Sequence, residues 1–238
     1  QVEGRGGGAL MIAKKGEFYS GAGMMAVFVV ILIVMFMPIF KGHNGLDYLD
    51  SLYNSISKGS AYYIPAMQDE AKTYAGSNVK LTLTMQDETQ ARQTSLLFQK
   101  GGALVNVSGA ALSLDGDLGA ILAVSLEDAD LMYHNKGTDV SDKYGYEERQ
   151  VLYNWWAASN AMEKELKRQK QFKAAKIVAT INQKAIETAY NYYRIEPQSI
   201  SDRYGIVIFS LVFYVLYTLW YGFGIMFLFE GWGLRLEH

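Results

Sequence analysis

Two long uncharged apolar runs lie near opposite ends of the chain, with a mixed polar and apolar segment between them. Residues 21–40 read GAGMMAVFVVILIVMFMPIF and residues 206–229 read IVIFSLVFYVLYTLWYGFGIMFLF, and neither run contains Asp, Glu, Lys, Arg or His. About 20 apolar residues, in a helix that rises ~1.5 Å per residue, are enough to cross the ~30 Å hydrocarbon layer of a bilayer. The pattern predicts an integral membrane protein with two transmembrane helices.

The two runs divide the chain into five parts. We predict an N-terminal tail over residues 1–20, a first transmembrane helix over 21–40, an extramembrane domain over 41–205, a second transmembrane helix over 206–229 and a C-terminal tail over 230–238. The first run is longer than the apolar part of a signal peptide and ends in MPIFK rather than in a small-residue cleavage site. It is therefore expected to remain as an anchor. The residues before Met11 and the final LRLEH resemble appended segments and are left out of the functional argument.

Positive charges near the two runs give only a small bias in orientation. Lys14 and Lys15 precede the first run, Lys41 follows it, and Arg203 and Arg235 flank the second. Cytoplasmic loops carry the excess of Lys and Arg, but long loops respond weakly to this rule. We expect both termini in the cytoplasm and the middle domain outside the cell membrane, which in a bacterium means the periplasm.

Apolar periodicity predicts a mainly helical middle domain. Apolar residues recur at three- and four-residue steps over 49–74, where Pro65 is expected to restart the helix and Gly76 to end it. Residues 79–85 alternate between apolar and polar side chains, which indicates a short extended stretch. The predicted fold class is mainly α, with two transmembrane helices flanking a helical, bundle-like extramembrane domain.

Three further segments follow in the second half of this domain. Residues 87–135 are predicted to form a helical hairpin with a turn at 115–117, where Asp117 caps the second arm; a hairpin resting on the membrane is the alternative. Residues 136–146 read as a loop. Residues 147–193 contain neither Pro nor Gly and keep helical spacing, so that an unbroken helix would be about 70 Å long.

Composition excludes several classes of chemistry. The chain has no cysteine and only three histidines, which rules out disulfides, thiolate nucleophiles and Cys-ligated metal clusters. The 22 Lys and Arg are balanced by 24 Asp and Glu, so no basic field favours nucleic acid. The basic stretch over 163–176 could contact anionic lipid headgroups or an acidic partner, or it could be the solvated face of a helix. No cofactor is expected.

Catalytic and metal-binding motifs are also missing from the sequence. It contains no G-x-S-x-G, P-loop or H-E-x-x-H motif, and we expect no enzymatic activity. Asp115-x-Asp117-x-Gly119 lacks the remaining ligands of a calcium loop. His134 with Asp128 and Asp130 is a conceivable mixed site, but a single histidine is more often a surface residue. No metal site is predicted.

Two aromatic clusters lie in the long predicted helix. They are YNWW at 153–156 and YNYY at 190–193. Such side chains either form an aromatic ligand cage or anchor a core, and the second cluster is close enough to a span to join an interfacial belt. The candidate ligand or packing residues are Tyr153, Trp155, Trp156, Tyr190 and Tyr193.

The second apolar run carries five hydroxyl groups at helical spacing. They belong to Ser210, Tyr214, Tyr217, Thr218 and Tyr221. A hydroxyl in hydrocarbon requires a partner, so this face should meet another helix or water. The five hydroxyl residues are therefore candidates for either a helix-contact face or a pore lining. In the first run, Ala22 and Ala26 with neighbouring glycines offer a small-residue contact surface.

The expected function is that of a non-catalytic integral membrane protein that self-assembles as a scaffold or serves as an accessory subunit of a larger membrane complex. One alternative is an oligomeric two-span channel lined by the hydroxyl face of the second helix. Another is an extracytoplasmic small-ligand sensor that needs a separate output partner. The expected partners are the lipid bilayer and further protein subunits, without nucleic acid.

Overall fold

A computed structural model describes residues 12–40 and 42–234, and 71% of the chain is helical, which confirms the mainly α fold class. The chain forms two compact units. One combines Gln1–Tyr53 with Gln198–His238, and the other is Asn54–Pro197. The predicted appended segments, before Met11 and from Leu234 onward, lie outside the described residues except for Leu234 itself.

The first unit contains two long apolar helices, α1 (Lys15–Phe36) and α10 (Tyr204–Gly231), which are long and apolar enough to cross a membrane. Only 6% of the most apolar window of each helix is buried, unlike the core helix of a soluble protein. Helix α10 agrees with the predicted bounds within two residues. Helix α1 begins six residues earlier than predicted and ends before Pro38, because proline disfavours helical geometry in the residue that precedes it.

Two shorter helices follow α1. Helix α2 (Gly45–Ser60) begins after Asn44, whose side chain accepts a hydrogen bond from the backbone of Asp47 at 2.8 Å. Helix α3 (Ile64–Lys72) has Pro65 in its first turn. The predicted restart is confirmed, since proline is tolerated where the helical N–H groups have no partner.

The second unit contains a three-stranded antiparallel sheet with strand order β1-β3-β2. Strand β1 (Asn78–Thr84) confirms the predicted extended stretch, and its apolar side chains point into the core. Strands β2 (Leu104–Ser108) and β3 (Ala111–Asp117) overturn the predicted helical hairpin. Gly109 has a φ of +58° and begins a two-residue turn, which allows the two strands to pair.

The outer parts of the predicted hairpin are helical, as α4 (Glu88–Lys100) and α5 (Leu118–Tyr133). Asp117 caps α5 as predicted, because its side chain accepts a hydrogen bond from the backbone N–H of Gly119 at 2.8 Å. Residues 115 and 116 form no turn, since they belong to β3. The domain is therefore a mixed helix-and-sheet structure rather than an all-helical one.

Two further predictions for this unit are wrong. The predicted loop over 136–146 contains helix α6 (Gly137–Tyr144), whose Val140 and Tyr144 are buried. The predicted 70 Å helix is divided into α7 (Glu148–Arg168), α8 (Phe172–Ile181), a π-helix (Asn182–Glu187) and α9 (Thr188–Tyr192). Lys170, with a φ of +63°, lies in the turn between α7 and α8. Folding back at this point buries the apolar stripes of the two helices against each other.

The core of this unit lies between the inner face of the sheet and the surrounding helices. The core residues named below are all less than 4% exposed. The sheet contributes Val79, Leu81, Leu83, Leu112 and Leu114, and the helices contribute Phe98, Ile121, Leu126, Leu152, Trp155, Val178 and Ile181.

Candidate functional sites

An aromatic pocket of about 260 Å³ lies on the surface of the second unit. It is lined by Tyr153, Trp156, Glu187, Tyr190 and Asn191. The rings of Tyr153 and Trp156 stack with centroids 5.6 Å apart, and the two side chains are 37% and 38% exposed. Three of the five aromatic residues singled out in the sequence therefore line one pocket.

Two helical segments position the side chains of this pocket. Tyr153 and Trp156 are three residues apart on α7, and Glu187, Tyr190 and Asn191 follow the same spacing across the end of the π-helix and α9. Residues three and four apart share one face of a helix. The π-helix adds a residue to the turn and so changes the direction of the side chains that follow it.

Asn182 joins the start of the π-helix to α7. Its side-chain amide donates to the carbonyl oxygen of Trp156 at 3.4 Å and to Oδ1 of Asn160 at 3.0 Å. The connection holds the two walls of the pocket together. Arg149 lies beside the pocket, with its guanidinium 5.7 Å from the ring centre of Tyr190 and 5.6 Å from that of Tyr193.

Trp155 and Tyr193 do not line the pocket. Trp155 is 1% exposed, and its Nε1 donates a hydrogen bond to Asp128 at 2.8 Å. The hydroxyl of Tyr193 donates to Oε1 of Glu148 at 2.8 Å. These two residues have packing and hydrogen-bonding roles in the core.

No family model, curated protein or solved structure matches this chain. Within residues 12–40 and 42–234, no group of three His, Asp or Glu side chains is arranged to hold a metal ion. His134 instead pairs with Asp130, with 3.3 Å between Nδ1 and Oδ1, and Asp130 also accepts a hydrogen bond from Tyr62.

The hydroxyl face of α10 separates into two groups. Ser210 and Tyr217 bond within the first unit, where the Ser210 hydroxyl is 2.6 Å from that of Tyr53, and Tyr217 donates to the carbonyl oxygen of Phe28 at 2.9 Å. Tyr221 places its ring 4.9 Å from that of Phe28.

The other two hydroxyl residues do not contact α1 through their hydroxyl groups. Thr218 donates to the carbonyl oxygen of Tyr214 in its own helix at 2.8 Å, and the Tyr214 side chain is 69% exposed. Trp220, which lies outside the hydroxyl face, adds a further polar contact, since its Nε1 donates to the carbonyl oxygen of Met24 at 2.9 Å. Tyr217 and Trp220 therefore bond to α1, whereas Ser210 contacts Tyr53 of α2.

Asp128 is the centre of a buried polar cluster in the second unit. Its carboxylate is fully buried and accepts hydrogen bonds from Lys143 at 2.8 Å, Tyr144 at 2.5 Å and Trp155 at 2.8 Å. Burial raises the pKa of Asp128, and the three donors oppose this effect. All the donors are protein side chains, so the cluster is structural.

Lys58 forms a second buried cluster that sequence reasoning missed. Its side chain is 1% exposed, and its Nζ donates to the carbonyl oxygen of Ile195 at 2.6 Å and to Oδ1 of Asn135 at 3.2 Å. Its ammonium group also lies 5.1 Å from the ring centre of Tyr133. Burial lowers the pKa of Lys58. No sequence signal identifies this role, because a lysine in an amphipathic helix is normally solvated.

The sheet has an outer edge at β2. This strand pairs with β3 on one side, and no other strand among the described residues pairs with it. The strand reads LVNVS, carries no charge and contains no proline, and Leu104 is 77% exposed. Natural proteins usually protect such an edge with charge, proline or a bulge.

Proposed function

We propose that this chain is a non-catalytic integral membrane protein, anchored by α1 and α10, whose extramembrane domain associates with a second copy through the outer edge of β2. Its role would be that of a self-assembling scaffold or an accessory subunit of a larger membrane complex. The observation that carries the proposal is the uncharged, unpaired edge of β2, which is suited to antiparallel pairing with an identical strand.

The hydrogen-bonding pattern of β2 supports this association. A two-residue turn makes Ser108 and Ala111 a hydrogen-bonded pair, and pairs alternate along an antiparallel ladder. The N–H and C=O groups of Leu104, Asn106 and Ser108 therefore face β3. Those of Val105 and Val107 face outward, where they are available to another strand.

Two copies of β2 are self-complementary. When two antiparallel strands meet with the twofold axis at Asn106, Val105 of each copy lies opposite Val107 of the other. Each of these two pairs exchanges both of its N–H and C=O groups, which completes four hydrogen bonds. Asn106 lies opposite its own copy on the solvent-exposed face of the extended sheet, where two amides can bond to each other.

Charge substitutions at Asn106 test this arrangement. In Asn106→Lys and in Asn106→Asp, like charges lie directly across the twofold axis, so each variant alone should weaken the dimer about fivefold or more. Mixing the two variants brings opposite charges together and should restore a heterodimer. Native mass spectrometry and light scattering of the detergent-solubilised chain, measured over a range of concentrations, report the association.

Thr82→Lys is the matched control, since Thr82 is exposed on the same sheet face but lies on β1. It should leave the dimer unchanged. A wild-type chain that stays monomeric, or a mixture of the two Asn106 variants that does not associate, would contradict the proposal.

A second candidate is a small-ligand sensor, which is favoured by the aromatic pocket at Tyr153, Trp156 and Tyr190. The channel alternative has less support, because Ser210 and Tyr217 direct their hydroxyls toward other groups of the same unit. Without these two hydroxyls, Tyr214, Thr218 and Tyr221 cover about 10 Å of α10, which is too short to line a pore through a hydrocarbon layer of ~30 Å.

Orientation is part of the proposal and has its own test. We expect the termini in the cytoplasm and the domain outside, so Lys173→Cys should react with a membrane-impermeant maleimide added to intact cells, whereas Lys15→Cys should react only after lysis. Both side chains are exposed and the chain has no cysteine of its own, so the labelling is specific. The reverse pattern would place the domain in the cytoplasm.

A further inference from the structure

We infer that the pocket formed by Tyr153, Trp156, Glu187, Tyr190 and Asn191 binds a quaternary ammonium group. The inference rests on the second candidate function, the small-ligand sensor, and is independent of association through β2. The pocket volume of about 260 Å³ accommodates a trimethylammonium group with a short attached chain, and is too small for a larger cofactor.

The aromatic walls provide the first part of the recognition. The face of an aromatic ring carries partial negative charge, and Trp is the strongest cation-binding ring, followed by Tyr and Phe. The stacked pair of Tyr153 and Trp156 forms one wall, and Tyr190 contributes the other. Large aromatic side chains that remain more than one-third exposed in a folded domain are available for a ligand.

Glu187 provides the second part. Its side chain is exposed and makes no ion pair or side-chain hydrogen bond with the described residues, so the carboxylate is free to attract a cation. It is the last residue of the π-helix, and such insertions occur frequently at functional sites. The ring faces and this carboxylate both favour a cation over an anion.

The positive charge of Arg149 beside the pocket favours a quaternary ammonium over a primary amine as the ligand. Its guanidinium already lies against Tyr190 and Tyr193, which shows that the Tyr190 ring accepts a cation. The same positive charge disfavours a second cation beside it. A quaternary ammonium spreads its charge over methyl groups and has a low cost of desolvation, so it gains from the rings with less loss than a primary amine. Arg149→Gln should therefore raise the affinity.

The test uses the full chain in nanodiscs of phosphatidylethanolamine, a zwitterionic lipid whose headgroup carries no quaternary ammonium. Choline is titrated by isothermal calorimetry, and its uncharged carbon isostere, 3,3-dimethylbutan-1-ol, serves as the comparison. Choline should bind in a saturable way, with the isostere at least about tenfold weaker because it lacks the cation–π attraction. Equal binding of the two compounds would show a purely hydrophobic pocket, and the absence of choline binding would also overturn the inference.

Two pairs of variants locate the binding. Trp156→Leu should reduce choline affinity about tenfold, whereas Phe172→Leu, which truncates another exposed ring, should not. Glu187→Gln should reduce it about threefold, whereas Glu70→Gln removes a charge elsewhere and should leave it unchanged. Equal effects within either pair would place the binding outside this pocket. Circular dichroism of each variant confirms that it remains folded.

A lipid headgroup and a free solute can both supply a quaternary ammonium group. The titration is therefore repeated in nanodiscs of phosphatidylcholine. If the natural source is the headgroup, the lipid competes and the apparent affinity for choline falls. If the source is a free solute, the affinity is the same in both lipids.

Failure of choline binding would leave the association through β2 untouched, whereas a monomeric wild-type chain would leave the ligand site untouched.

Discussion

Replacing Asp128 with alanine should destabilise the unit over Asn54–Pro197 by about 3–5 kcal/mol. The carboxylate is fully buried and is the common acceptor for Lys143, Tyr144 and Trp155. Its removal leaves the Tyr144 hydroxyl and the Trp155 indole N–H buried without an acceptor and also creates a cavity. Each buried donor that loses its partner costs about 1–3 kcal/mol. Thermal and urea unfolding of the detergent-solubilised chain measure the loss.

Asp142→Ala is the matched control for this substitution. Asp142 is exposed, and its replacement should change the free energy of unfolding by less than about 0.5 kcal/mol. Lys143 keeps a second partner in Asp128→Ala, because its Nζ is also 3.1 Å from Glu127. The predicted loss therefore comes mainly from the tyrosine and the tryptophan. Similar unfolding of the two variants would contradict the central role of Asp128.

Gly21→Leu should separate α1 from α10, at a cost of about 3 kcal/mol. A Cβ atom at Gly21 would lie 2.6 Å from the backbone nitrogen of Leu228 and 2.8 Å from the carbonyl oxygen of Gly224. Both atoms belong to backbone and cannot move without shifting α10. Separation would also weaken the hydrogen bonds that Tyr217 and Trp220 donate to α1.

Gly23→Leu is the control, because a Cβ atom at Gly23 meets nothing within 4 Å. The two substitutions change hydropathy equally, so any difference between them comes from packing. A cysteine pair at Met24 and Gly224 reports the contact, since a Cβ atom at Gly224 would lie 3.4 Å from that of Met24, close to the separation found in disulfides. Oxidative cross-linking should be slowed about tenfold or more by Gly21→Leu and be unaffected by Gly23→Leu. Equal rates would show that α1 and α10 do not pack through Gly21.

Local sequence patterns were sufficient for several elements. The two apolar helices follow from composition and length, because hydrocarbon tolerates neither charge nor unpaired backbone groups. The alternation over 79–85 identified β1, and Pro65 identified the start of α3, since both features act over a few residues. Asp117 was identified as a helix cap for the same reason. These predictions depend on interactions between near neighbours in the chain.

The errors arise where distant residues decide the local structure. The segment over 104–117 has small and apolar residues compatible with either helix or strand, and β3 exists because it pairs with β1 and β2. The segment over 147–193 has good helix formers throughout, yet the chain turns at Lys170 because the reversal buries two apolar stripes. Helix propensity amounts to only a few tenths of a kcal/mol per residue, and core burial outweighs it.

The candidate site shows the same division. Sequence alone identified both aromatic clusters from their composition. Exposed and buried aromatic residues look identical in a sequence, however. It could not show that Tyr153, Trp156 and Tyr190 share a pocket while Trp155 and Tyr193 face the core. That separation depends on the fold-back between α7 and α8 and on the direction that the π-helix gives to Glu187.

The sequence by itself determined the two apolar helices, the absence of thiol chemistry and the mainly helical content, because each follows from composition or from short-range periodicity. The tertiary structure decided the sheet and its open edge, the partners of the α10 hydroxyls and the burial of Lys58 and Asp128. These features join residues that are far apart in the chain. Their energies depend on pairing and desolvation, which no single segment encodes.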